Sequence, residues 1–267
     1  MPHGKKVGTQ EPATEAPEDT IGLFSTPSGI RAVDSPVRSK ILSILRAREL
    51  PFDEVVQLTG KAKSTVSVHL KDLLNQGIIG EKPDPVDSRK KIFFIRSNYL
   101  GNLSQEAPVK FDSDASLVSA FLQSEDPFRF YRLMFRTIRV SLLSEGVNID
   151  PILHEAGYHV GEGLYPAVAA RELDELLEKT GRFWKRHQLG RIEIESLEPV
   201  TLRVYDCFEC GDLPQLGRPA CAFDAGVLQA VFSRFFADDR DVTENKCYAM
   251  GDDHCRFVVS PGKKPIV

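Results

Sequence analysis

The sequence predicts an α+β protein in two parts. A small basic module of helices and one β-hairpin comes first, and a larger acidic part with helices packed on an antiparallel sheet follows. Three observations predict this. Apolar residues recur at helical spacing from Pro36 to Gly77 and again from Asp114 to Gly190, then alternate every second residue. Charge divides along the same line: residues 29–100 hold 13 Lys/Arg against 8 Asp/Glu, a net +5, while residues 1–28 carry −2 and residues 101–267 carry −7. A chain of 267 residues with 42% hydrophobic content is long and apolar enough for two packed domains.

No apolar run approaches the length that crosses a bilayer, and the opening MPHGKKVGTQEPATEAPEDT does not read as a secretory signal. A cytoplasmic protein with no membrane partner is expected. Thiols stay reduced there, so the five cysteines favour metal or redox chemistry over a disulfide framework, and their odd number argues against full pairing. The expected division is a flexible tail over 1–28, a first domain over 29–100, a linker with a connecting helix over 101–124, and a second domain over 125–260. The alternative for the tail is an ordered arm against a partner subunit.

In the first domain, Ser35 caps a helix that Pro36 opens, with Val37, Ile41, Ile44 and Leu45 along one stripe. PFDEVVQLTG is a short second helix stopped by Gly60. KSTVSVHLKDLLNQG is a third, with Val66, Leu70, Leu73 and Leu74 inward and Ser64, Thr65, Ser67, Val68 and Lys71 outward; His69 sits near the boundary. IIGEKPDPVDSRKKIFFIR then reads as two strands around a turn with Arg89, Lys90 and Lys91 beside it. Three helices and a basic hairpin make a winged helix-turn-helix. Its third helix suits the major groove of double-stranded DNA, where Ser64, Thr65, Ser67, His69 and Lys71 meet bases and phosphates. The wing cations Arg89, Lys90 and Lys91 neutralise phosphates without reading sequence. The plainer alternative makes the third helix a core helix of a small bundle. The stretch STVSVHLKDLLNQGII resembles the recognition helix of ArsR-type winged-helix repressors, over roughly residues 30–98. This domain has no cysteine, so the signal must enter elsewhere.

After the linker, SLVSAFLQ and PFRFYRLMFRTIRVSLLSEG read as helices whose large apolar residues exceed one stripe, which predicts burial on more than one side or a subunit interface. Two more helices follow in NIDPILHEAGYHVGEGL and ARELDELLEKTGRFWKRHQLG; His154, His159 and His187 are expected on solvated or structural faces. RIEIESLEP and VTLRVYDCF form a hairpin, CAFDAGVLQAVFSRFF is a helix, and DVTENKCYAMGDDHCRFVV is a second hairpin.

The C-x-x-C of YDCFECGD, Cys207 and Cys210, has three readings: half of a zinc site, a redox dithiol, or two small residues in a turn. HEAGYHVGEGL and, more specifically, CAFDAGVL…VTENKCYAMGDDHCRF resemble the vinyl-reductase-type sensor domain, over roughly 125–260. That domain occurs in a bacteriochlorophyll-synthesis protein, in aromatic-responsive activators and in regulators of methanogens. In the aromatic-sensing branch three cysteines and a glutamate hold zinc, and the resemblance implies Cys221, Glu244, Cys247 and Cys255 as the ligands here. Three thiolates and a carboxylate suit a closed tetrahedral zinc site, and a helix start behind Cys221 favours its thiolate. Cys207 and Cys210 are then left over, either as turn residues or as a dithiol whose oxidation reshapes the domain or displaces the zinc.

An ArsR-like winged helix ahead of such a domain resembles the methanogen-specific redox-sensitive transcription regulators. The resemblance implies a homodimer, usually a repressor, whose DNA binding follows cysteine oxidation. The alternative signal is a small hydrophobic or aromatic effector in a pocket lined by helices between 121 and 184. A tetrapyrrole-related enzyme is the third reading, but no G-x-G-x-x-G, no Ser-His-Asp order and no open metal position supports it.

Overall fold

The computed structural model describes residues 20–104 and 115–262; residues 1–19 of the expected tail and 105–114 of the expected linker lie outside the described residues. The chain enters on an antiparallel hairpin, β1 (Thr20–Thr26) and β2 (Gly29–Val33). Ser35 then caps α1 (Pro36–Ala47), its hydroxyl accepting from the Arg38 amide at 3.5 Å. Proline takes the next position, whose N–H has no helical partner in any case. A two-residue strand, β3 (Leu50–Pro51), leads into α2 (Phe52–Thr59), which Gly60 ends in the left-handed conformation. The third helix, α3 (Lys63–Asn75), buries Val66, Leu70 and Leu73. The wing is β4 (Ile79–Pro83) against β5 (Lys91–Ile95), with β3 pairing the other edge of β5. Ile41, Leu42, Leu45, Val55, Phe93 and the α3 residues share one core.

β6 (Asn98–Ser104) then turns back and pairs with β1. The expectation of a flexible tail through residue 28 is corrected here: Phe24 on β1 is 2% exposed and belongs to the winged-helix core. It lies beside Tyr99, over whose ring the Arg46 guanidinium sits at 3.6 Å. Burying one such side chain contributes about 1.5–3 kcal/mol. The expected boundary at residue 101 is displaced as well, because β6 runs on to Ser104.

Next come α4 (Ala115–Leu122) and α5 (Phe128–Ser144), then the short β7 (Val147–Asn148), which pairs with β6. The second domain therefore adds a strand to the sheet of the first, in the order β2-β1-β6-β7. Gly101 on β6 has φ +149°, and a Cβ there would lie 2.0 Å from the Asn148 carbonyl oxygen, so the crossing needs glycine. Contrary to the expectation of burial on several sides, Phe130, Tyr131, Met134 and Ile138 are exposed. Within one chain α5 has neighbours on one face only.

The rest is α6 (Asp150–Val168), α7 (Leu173–Arg186), the hairpin β8 (Arg191–Leu197) and β9 (Val200–Tyr205), α8 (Ala222–Phe236), and the hairpin β10 (Arg240–Lys246) and β11 (Cys255–Pro261). The sheet is antiparallel in the order β10-β11-β9-β8, with Trp184 of α7 and Leu228, Val231 and Phe232 of α8 in its core. Helices α6 and α8 meet backbone to backbone. A Cβ on Gly157 would lie 2.1 Å from the Phe223 carbonyl oxygen, and one on Gly226 would lie 2.1 Å from that of His154. This contact sets where the amino end of α8 sits. Gly157→Ala must push the two helices apart and is expected to destabilise the domain by about 1–3 kcal/mol, measured as a lower denaturation midpoint than the unaltered chain.

Candidate functional site

Four segments converge at the amino end of α8. The first is the loop leaving β9, where Cys207 and Cys210 form a tight turn closed by Gly211 N–H donating to the Cys207 carbonyl at 3.0 Å. The second is Cys221, the residue just before α8. Cys247 follows β10, its amide donating to Asp252 Oδ2 at 3.0 Å, and Cys255 opens β11. All five cysteines are buried. Their sulfurs touch: Cys207–Cys221 at 3.5 Å, Cys210–Cys255 at 3.2 Å, Cys221–Cys255 at 3.6 Å, Cys221–Cys247 at 3.8 Å and Cys247–Cys255 at 4.0 Å.

Glu244 reaches the cluster from β10. Its Oε2 accepts from the amides of Ala220 at 3.1 Å and Cys221 at 2.8 Å, while Oε1 is buried with no hydrogen-bond partner among the described residues. Burial, then the adjacent Cys247, pushes its carboxyl up to about 9. A buried oxygen without a partner costs stability unless something binds it, and a cation answers that requirement. The expected ligands Cys221, Glu244, Cys247 and Cys255 do come together, with ligand atoms all within 4.8 Å of one another. Metal–sulfur bonds of about 2.3 Å at tetrahedral angles set sulfurs about 3.8 Å apart, close to the spacing seen. The donor set fits a tetrahedral, thiophilic ion such as zinc.

The expected separation of Cys207 and Cys210 from those ligands does not hold in space. Cys207, Cys210, Cys221 and Cys255 form a second group within the same 4.8 Å limit, sharing two members with the first. Hydrogen bonds from Cys210, Cys221 and Cys255 hold the Cys207 thiol below its ordinary range, helped by the Cys210 amide. Cys247 is likewise lowered by Cys210, Cys221 and Cys255, helped by the Ala249 amide. Burial raises Cys221, and contact with Cys207 and Cys210 raises Cys255. Each group of four thus contains one thiol poised to ionise first.

Sequence periodicity missed the charged frame. Glu209, inside the C-x-x-C, is buried and accepts from the Phe223 and Asp224 amides at 3.0 and 2.9 Å. Arg139 of α5, 2% exposed, donates to Glu209 at 3.3 Å and to Asp150 at 2.9 Å. Burial raises Glu209 to about 8 against the pull of Arg139 and the two amides. The same face of α5 brings Arg132 to Asp212 at 3.1 Å and packs Phe128 on Phe208 with ring centroids 5.1 Å apart. A charged residue between the two cysteines was the one available signal. Among the described residues His154, His159 and His187 join no potential metal group; His187 lies against Phe183.

In the first domain Ser64, Ser67 and Lys71 are exposed on α3, Thr65 and His69 are half-buried, and Arg89, Lys90 and Lys91 are exposed in the wing. Arg89 pairs with Asp87 at 3.0 Å and Lys91 with Glu81 at 2.5 Å, whereas Lys71 and Lys90 make no ion pair among the described residues.

Comparison with known proteins supplies families for both parts. Residues 35–80 match the bacterial regulatory protein, arsR family, and residues 200–261 match the vinyl-4-reductase-type domain family. The chain is 32% identical over 126 residues to the uncharacterized protein MJ1642 of Methanocaldococcus jannaschii, which covers 47% of this chain and 74% of that protein. It is 27% identical over 128 residues to MJ0150 of the same organism, 47% and 73% of the respective chains. Among solved structures it is similar to a vinyl-4-reductase family protein of Methanocaldococcus jannaschii, with TM-score 0.36, 18% identity and coverage of 57% and 98%. A second is the phenol-responsive sensory domain of the transcription activator PoxR with phenol, with TM-score 0.40, 13% identity and coverage of 76% and 93%.

The buried ion pair yields a direct test. Arg139→Met leaves Glu209 and Asp150 without their cation and is expected to cost about 3–5 kcal/mol. Adding Glu209→Gln should recover part of that loss in the same chemical denaturation measurement.

Proposed function

This chain belongs to the same family as MJ1642 and joins an ArsR-family helix-turn-helix domain to a vinyl-4-reductase-type domain, and from that premise we propose a redox-responsive transcription regulator, a repressor that binds double-stranded DNA as a homodimer. The helix-turn-helix points to a regulator rather than an enzyme. The observation that carries the redox reading is the buried five-thiol cluster, whose C-x-x-C loop is clasped by α5 through Arg132, Arg139 and Phe128. Zinc held by Cys221, Glu244, Cys247 and Cys255 ties α8 to the β10–β11 hairpin. Cys207 and Cys210 are the switch: joining them as a disulfide passes two electrons and two protons to an oxidant, a peroxide or a small disulfide. Redrawing that turn disturbs Glu209 and Asp212, on which α5 rests. From α5, β7 continues into the sheet that carries β1 and β6 of the winged helix.

On DNA, α3 enters the major groove with Ser64, Thr65, Ser67, His69 and Lys71, and the wing adds Arg89, Lys90 and Lys91. A two-fold dimer matches two half-sites, and a second copy would cover the exposed apolar face of α5, Phe130, Tyr131, Met134 and Ile138. The test is binding to DNA selected from a random pool by the reduced protein, followed by fluorescence anisotropy with and without reductant. Affinity is expected to change by about tenfold or more between the two states, and Cys207→Ser/Cys210→Ser should abolish the difference. Equal affinities in both states would sink the redox reading. In the same assay Lys90→Ala should weaken all sequences alike and lower the salt slope by about one.

One observation favours a second signal, a small aromatic effector. Trp184 Nε1 and Thr180 Oγ1 lie one turn apart on α7, fully buried and without hydrogen-bond partners among the described residues. A phenol-like hydroxyl would satisfy both. Trp184 is the only tryptophan, so titration with phenol should shift its emission if this reading is right; unchanged emission up to saturating phenol rejects it.

A further inference from the structure

The two overlapping groups of donors have a consequence beyond a single zinc. We propose that the reduced domain binds two metal ions, the second held by Cys207, Cys210, Cys221 and Cys255 and joined to the first through Cys221 and Cys255 as shared thiolates. The proposal rests on the zinc reading above and extends it.

Four observations carry it. The second group is made entirely of buried cysteines, the commonest donor set for a closed tetrahedral site. Its sulfur contacts, 3.2–3.6 Å, are those of ligands around one ion. The sulfurs common to both groups, Cys221 and Cys255, are 3.6 Å apart, a separation that two ions can bridge. Finally, each remaining pair comes from one turn or strand end: Cys207 and Cys210 on one side of the shared edge, Glu244 and Cys247 on the other. In both turns a backbone amide also points at the first sulfur, that of Cys210 at Cys207 and that of Ala249 at Cys247. Such N–H···S bonds stabilise thiolate.

Charge favours the same arrangement. Five thiolates and one carboxylate in a buried site carry six negative charges when all are ionised, and a single divalent ion offsets two of them. A second ion offsets two more, leaving a remainder that the amino end of α8 faces directly. With one ion only, Cys207 and Cys210 keep their protons, and Cys207 can donate to Asp224 Oδ2, 3.6 Å away.

Metal and disulfide then exclude each other at the C-x-x-C. When Cys207 and Cys210 form their bond, both thiolates leave the second ion, two electrons pass to the peroxide or disulfide oxidant, and the ion departs from a shell reduced to two ligands. Oxidation is thereby read as metal release, with the first ion kept on its own four ligands.

The test uses the full chain purified anaerobically under reductant. Zinc is quantified per chain by mass spectrometry, and cadmium-substituted protein is studied by NMR. Two zinc ions per chain and two cadmium resonances, mutually coupled through the shared sulfurs, are expected. Cys207→Ser/Cys210→Ser should retain one ion and one resonance; if that variant does not fold, the unaltered chain decides alone. One ion with one resonance in the unaltered chain overturns the two-ion proposal and leaves the single-zinc reading standing. No metal, or iron with acid-labile sulfide, overturns both.

Discussion

Everything at the sensor end depends on how the amino end of α8 is satisfied. A helix start presents amides with no internal partner, and here two buried glutamates take four of them. Glu244 accepts from Ala220 and Cys221, and Glu209 accepts from Phe223 and Asp224. Each glutamate belongs to a different cysteine loop. Satisfying the helix therefore pulls the C-x-x-C turn and the β10 end to the same point, with Cys221 between them. The close glycine contacts of α6 with α8 fix that point relative to the rest of the domain.

The cluster is sensitive to chemistry because it is both dense and enclosed. A thiol in an apolar interior resists ionisation, whereas one that receives hydrogen bonds from neighbouring thiols and amides yields its proton readily. Both kinds are present within 4.0 Å of one another. Any event that removes one sulfur from the group, by oxidation or by coordination, changes the surroundings of all the others. Glu209 carries that change outward, since its carboxylate is shared between the α8 amides and Arg139.

Arg139 is where the two domains become one problem. Its guanidinium, buried on α5, joins Glu209 of the cysteine loop to Asp150 at the start of α6. The chain between those two helices is β7, the strand that extends the sheet of the winged helix. A packed helix tied at one end to the cysteine loop and at the other to that sheet is a short physical route from thiol chemistry to the DNA-binding face.

Much of this was legible in the sequence. Local chemistry determined the Ser35–Pro36 helix start, the Gly60 stop, the inward row Val66, Leu70 and Leu73, and the two hairpins of the second domain, because caps and periodicity act within a few residues. The spacing of Glu244, Cys247 and Cys255 pointed to their convergence for the same reason. What tertiary structure alone decided was long in range. Thr20–Thr26 reads as tail in isolation, and becomes a strand only because β2 and β6 flank it and Phe24 finds the helical core. Cys207 and Cys210 read as a pair left over from the zinc ligands, yet the register that sets Cys255 opposite Val204 delivers them to the same sulfurs within one turn of the chain. Strand register and helix crossing join residues dozens of positions apart, and no local pattern encodes which of them will meet.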